Sequence, residues 1–137
     1  MTCGNGVPLA VTVSPGQAHE SKSFEMAMSE VRPKYRRPTW VLGDKGYSYP
    51  RIRKWCERRK IWDVIPQRSD QLRRDGQRVF SKSIYKRRNV VERCIGWLKQ
   101  NRRLSTRYEK LATNFVAMLK LAFIDRYLRF LEPSDTT

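Results

Sequence analysis

The chain has 137 residues, enough for one domain with a modest core, and 39% of them are hydrophobic, which excludes compositional disorder. There are 29 Lys and Arg against 13 Asp and Glu, a formal net charge of +16, so a polyanion is the expected partner. No apolar run approaches the ~20 residues of a membrane-spanning helix, Met1–Gly6 is too polar for a signal peptide, and the cysteines Cys3, Cys56 and Cys94 form no CxxC pair. A cytoplasmic protein without a disulfide framework is expected. The charge is concentrated, because residues 31–110 hold 25 of the 29 Lys and Arg against seven acids. Charge alone is also compatible with a solvated basic surface, such as that of an RNA-binding structural protein of ribosomal type.

Taken in chain order, Gly4-Asn5-Gly6 is a turn that leads into a strand over Val7–Val13, and Ser14-Pro15-Gly16 ends it. Glu20–Val31 has helical periodicity, with Phe24, Met28 and Val31 on one face, and Arg32-Pro33 closes it. Thr39–Leu42 predicts a short buried strand running into Gly43-Asp44-Lys45-Gly46-Tyr47. Pro50 suits a first helical position, so Arg51–Lys60 follows as a helix with Ile52 and Trp55 inward. Ile61–Ile65 predicts another strand, stopped by Pro66, and Gln67–Ser83 is a polar, basic loop. One helix is predicted from about Ser83 to Arg103 and a last one over Thr113–Leu131, with Phe115, Leu119, Ala122, Phe123 and Tyr127 on one stripe. Residues 132–137 form a polar tail. Strands alternating with helices indicate an α/β layer fold for residues 1–131.

Two constellations carry chemistry. The first is Tyr85, Arg88, Glu92 and Lys99 at i, i+3, i+7 and i+14, which on one continuous helix fall within an arc of roughly 60°. Gly96 lies on the same stripe, where a missing side chain lets a DNA backbone approach, and Arg103 extends it by another turn. Val90, Val91, Cys94, Ile95, Trp97 and Leu98 form the packing arc. The bland reading of Arg88 and Glu92 is a surface i, i+4 pair worth a few tenths of a kcal/mol. The second constellation is Asp44, between glycines at the carboxyl end of a strand, where α/β sheets place ligands and where a carboxylate suits a hard cation. Its bland reading is an Asp-containing turn.

Together, GDKGY and the later Y-x2-R-x3-E-x6-K resemble the second and third conserved blocks of DDE transposases of insertion-sequence families four and five. The segments PLAVTVSPGQAHES and GWLKQNRRLSTRYEKLATNFVAMLKLA extend the resemblance from about Val7 to Phe130. It implies an RNase H-like fold in which three acids bind two Mg²⁺ (or Mn²⁺) ions for in-line attack on a phosphodiester. Asp44 and Glu92 correspond to the second and third acids and metal ligands. Tyr85, Arg88 and Lys99 correspond to residues that hold phosphates of the transposon end, with Lys45 and Tyr47 lining the same cleft and Arg103, on the continued stripe, a further DNA contact. The expected partners are transposon-end DNA and either a homodimer or an assembly with an upstream half or an intact transposase.

The sequence departs from that pattern at the first acid. The family places it on a strand before the Val7–Val13 hairpin, and Met1–Gly6 contains no Asp or Glu. None of Asp63, Asp70, Asp75 and Asp125 lies in a segment that substitutes for it by motif, and His19-Glu20 is read as a helix start. The expectation is an N-terminally truncated RNase H-like domain lacking its first strand and inactive alone. Leu9, Val11 and Val13 are then expected to lack a partner layer, with aggregation as the consequence. The rival reading is a non-catalytic nucleic-acid-binding module derived from a transposase.

Overall fold

A computed structural model describes residues 1–14, 20–31, 37–69, 71 and 80–131. Pro15, Gly16, His19, Arg32, Pro33, Asp70, Asp75, the greater part of the basic loop and the tail 132–137 lie outside the described residues. The chain divides into two compact units, Ser14–Arg88 and Met1–Val13 with Asn89–Thr137.

In the first unit, a 3-10 turn at Glu20–Ser23 leads into helix α1, Phe24–Val31. Phe24, Ala27, Met28 and Val31 are buried, so the periodicity of the sequence marks the inward face correctly. Strands β1, Trp40–Leu42, and β2, Trp62–Val64, run parallel, with Trp40 opposite Trp62 and Leu42 opposite Val64. Parallel strands need a crossover, and helix α2, Pro50–Arg58, supplies it. Pro50 occupies the first turn, where its missing N–H costs nothing. One turn apart, Ile52 and Cys56 have no exposed surface and pack with Phe24, Met28, Ile61 and Ile65. Trp55 meets Phe24 edge-on at 5.4 Å between centroids. The expectation of a buried first strand is corrected: Trp40 is 40% exposed and Val41 and Leu42 are half-buried. Among the described residues the sheet has only these two strands, so neither strand is enclosed on both sides.

Helix α2 ends in a Schellman motif. The Ile61 N–H donates to the Cys56 carbonyl at 2.9 Å and the Lys60 N–H to the Glu57 carbonyl at 2.8 Å. Lys60 takes the left-handed conformation (φ 53°), which glycine adopts without steric cost. Ile61 and Cys56, in contact with the same core, supply the apolar partner pair of the motif.

The second unit begins with a tight hairpin. The Cys3 N–H donates to the Val7 carbonyl and the Leu9 N–H to the Met1 carbonyl, both at 2.9 Å, around the predicted turn. Gly6 there has φ +82°, and a Cβ on it would stand 3.3 Å from Val90. The predicted strand Val7–Val13 is corrected to a single bridge between Thr2 and Pro8. Pro8 has no N–H for a ladder, and beyond it Val11 packs on helices instead. The Tyr127 hydroxyl donates to the Pro8 carbonyl, and the Met1 ammonium donates to the Ala10 carbonyl at 2.7 Å. Val11 packs on the cluster of Leu104, Leu119 and Ala122, so the expectation that it lacks a partner does not hold, whereas Val13 is exposed.

The single helix predicted over Ser83–Arg103 is three: α3, Lys82–Lys86, α4, Asn89–Gln100, and α5, Arg102–Ser105. After α3 the chain tightens into i→i−3 bonds, Arg87 N–H to Ile84 and Arg88 N–H to Tyr85. Three consecutive cations, Lys86 to Arg88, crowd that turn. The second break falls at Asn101, which has extended backbone (ψ 102°), a position Asn favours over a helix interior. In the packing arc of α4, Cys94 is buried and Trp97 and Leu98 join the core, but Ile95 is exposed. Helix α6, Ala112–Leu131, turns Leu119 and Ala122 inward with Phe115 and Met118 against them, while Leu121, Ile124 and Leu128 face solvent.

Two measurements follow. Lys60→Gly is expected to raise the unfolding free energy by about 1 kcal/mol in chemical denaturation, because the left-handed position then carries no Cβ. Burial, reinforced by Asp63, pushes the Cys56 thiol from its ordinary 9.0 to about 12. A thiol that ionises at lower pH in the unfolded chain makes stability fall as pH rises from 9 toward 12. Between pH 8 and 10.5 the wild type is expected to lose roughly 2 kcal/mol more than Cys56→Ala, read from urea curves.

Candidate nucleic-acid site

Asp44 lies two residues beyond the end of β1, where the strand carbonyls run out and the chain turns. Its Oδ1 accepts from the Gly46 N–H at 2.8 Å and caps the 3-10 turn Lys45–Tyr47. The turn reading is therefore realised, and one carboxylate oxygen is committed to it. A Cβ on Gly43 would stand 3.3 Å from Tyr47 and 3.4 Å from Ile65, which keeps this corner narrow. Lys45 is exposed, and Tyr47 is half-buried against Phe24.

A polar network behind the loop was not singled out from the sequence. Ser48 is fully buried, and its hydroxyl donates to Gln71 at 2.8 Å and accepts from Arg53 at 2.9 Å. Gln71 returns a bond to the Ser48 carbonyl at 2.6 Å. The Arg53 guanidinium also pairs with Asp63 on β2 and donates to the Ile65 carbonyl at 3.2 Å. Arg53 and Asp63 are ten residues apart and indistinguishable in sequence from the many surface charges around them. Only the parallel crossover brings them together.

The four residues of the tetrad do not share one helix. Tyr85 lies on α3, capped by Ser81, whose hydroxyl accepts from the Ile84 N–H at 3.4 Å. Its ring meets Phe80 at 5.2 Å, and the Arg88 guanidinium sits 5.7 Å from its centroid. Arg88 is in the turn between α3 and α4, whereas Glu92 and Lys99 are on α4, and the boundary between the two units falls after Arg88. The arc argument therefore survives for Glu92, Gly96 and Lys99, at i, i+4 and i+7 on one exposed face of α4. Nothing stands within 4 Å of a Cβ built on Gly96, so no packing contact requires a glycine there. Arg103 leaves the stripe for α5, where it pairs with Glu109 at 2.5 Å. Among the described residues, no group of three or more His, Cys, Asp and Glu is placed to hold a metal ion, and no helix is long and apolar enough to cross a membrane.

Comparison with known proteins gives these residues their context. Residues 1–124 match the family described as Transposase DDE domain. The chain is 30% identical over 128 residues to a protein of Burkholderia cepacia named "Putative transposase for insertion sequence element IS402". That alignment covers 88% of this chain and 57% of the relative, so the chain spans little more than half of the relative's length. No solved structure matches. The chain belongs to the DDE transposase domain family of insertion sequences. Its α/β architecture of a small sheet and packed helices is consistent with that family, whose members generally use a divalent metal.

Asp44→Ala is expected to cost about 1 kcal/mol through loss of the turn cap, and Asp44→Asn to cost much less because its amide oxygen still accepts the bond. Denaturation midpoints of the two variants test this.

Proposed function

We propose that residues 1–131 are the downstream part of an RNase H-like transposase catalytic domain that acts on transposon-end DNA in the cytoplasm. In this reading Asp44 and Glu92 are its second and third acids. Arg88, Tyr85 and Lys99 grip backbone phosphates, with Lys45 contributing charge nearby. The observation that carries the reading is Gly96. A glycine in a helix interior costs about 1 kcal/mol relative to alanine, and no neighbour requires it here. It separates an exposed acid from an exposed lysine on one face, where an approaching phosphate backbone needs room.

The residues present do not by themselves fit a pair of metal ions. One oxygen of Asp44 already holds the Gly46 N–H, no three-ligand group exists among the described residues, and no Asp precedes Asp44 in the sequence. A two-metal site requires a third carboxylate besides Asp44 and Glu92, whether from residues of this chain outside the described ones, from further polypeptide or from another transposase subunit. In this reading a chain without it binds DNA and does not cut it. The basic centre, 25 Lys and Arg within residues 31–110, equally favours a regulatory role in which such a chain occupies transposon ends.

The test pairs binding with cleavage on a terminal-repeat duplex. Binding is expected to weaken steeply with salt, because each phosphate contact releases condensed counterions. Gly96→Ala is expected to raise stability by about 1 kcal/mol while lowering DNA affinity severalfold. No nicking is expected with Mg²⁺. Nicking that Glu92→Gln abolishes overturns the inactivity of the isolated chain, and absence of duplex binding at low salt overturns the DNA reading itself.

A further inference from the structure

Helix α5 ends in a second Schellman motif. The Tyr108 N–H donates to the Arg103 carbonyl at 3.1 Å and the Arg107 N–H to the Leu104 carbonyl at 3.2 Å, with Arg107 left-handed at φ 47°. In this motif the residue two places past the cap folds back on the last turn, ordinarily to make an apolar contact. Here the pair is Tyr108 and Arg103, with the guanidinium 4.8 Å from the ring centroid. Glu109 holds the same guanidinium at 2.5 Å, so both its position and its charge are already engaged.

Tyr108 nevertheless stays 67% exposed. A cation stacked at one face leaves the ring with surface for a second flat partner. Arg102, Arg103, Thr106 and Tyr108 line a cleft of about 370 Å³ at this corner. The Thr106 hydroxyl donates to the Arg102 carbonyl at 2.8 Å, which fixes the cleft wall. The Arg102 side chain makes no hydrogen bond or ion pair among the described residues, so its charge is available.

An available guanidinium beside an anchored, exposed aromatic ring suits an anion with a flat neighbour. A free phosphate uses only the arginine. Apart from its two ends, an intact duplex keeps its base faces stacked inside and presents none to the ring. An unpaired nucleotide offers both groups at once. We propose that Arg102 and Tyr108 form a subsite for one unpaired nucleotide of DNA, its phosphate on Arg102 and its base on the Tyr108 ring. This rests on the DNA reading above and adds residues outside the tetrad.

The test is fluorescence anisotropy of the full chain with a short single-stranded DNA and with a blunt duplex of the same sequence. Tyr108→Ala is expected to weaken single-strand binding roughly 5- to 100-fold and to leave duplex affinity nearly unchanged. Tyr108→Phe, which keeps the ring, is expected to bind like the wild type. A 2-aminopurine in the strand is expected to be quenched on binding to the wild type and not to Tyr108→Ala. Duplex binding with an unaffected Tyr108→Ala, or equal losses on both DNAs, overturns the subsite and leaves the proposed function standing. Tighter binding of the matching RNA overturns the assignment to DNA, and absence of binding to any DNA removes both readings.

Discussion

The Arg53 guanidinium is the tie on which the Asp44 loop depends. It reaches from the crossover helix to Asp63 on β2, to the Ile65 carbonyl just beyond that strand, and to the buried Ser48 hydroxyl that follows the loop. A charge in this position is stabilising only if its donors are met, and removal of one partner leaves the others desolvated and unpaired. The network therefore fixes the carboxyl end of β1, and with it the position of Asp44, more firmly than the short two-stranded sheet could alone. Gln71 completes it from the start of the basic loop.

Two Schellman motifs show how one local device serves different ends. After α2 the motif turns Ile61 back into the apolar core, and the left-handed Lys60 is the strained residue that this requires. After α5 the same backbone geometry places Tyr108 against an arginine instead of a hydrophobic neighbour. Burial rewards the first arrangement. Nothing apolar rewards the second, and the ring stays in solvent.

Much of the fold was legible because hydrophobic periodicity is a local signal. The inward faces of α1 and α6, the place of Ile52 on α2 and the existence of two short strands follow from it, whereas their parallel pairing does not. The failures have physical causes as well. Val7–Val13 has strand-like composition, but composition does not supply a ladder partner, and Pro8 removes a donor near its start. The run from Ser83 to Arg103 looks continuous because cations and Asn are tolerated in helices. Three adjacent positive charges and an Asn in extended backbone are nonetheless where it breaks. The candidate site was legible to the same degree: Glu92, Gly96 and Lys99 keep a common face within α4, and Tyr85 and Arg88 do not share that helix.

The sequence by itself determined the family, through two motifs whose spacing is independent of where the helices start and stop. It also determined the basic charge, because this is a count and needs no geometry. Only the tertiary structure decided which charges are engaged. Arg53 and Asp63, Arg103 and Glu109, and Asp44 and Gly46 pair through turns and crossovers that a linear pattern does not encode. Hydrogen bonds and ion pairs depend on distances of about 3 Å, whereas periodicity constrains only which face a residue occupies.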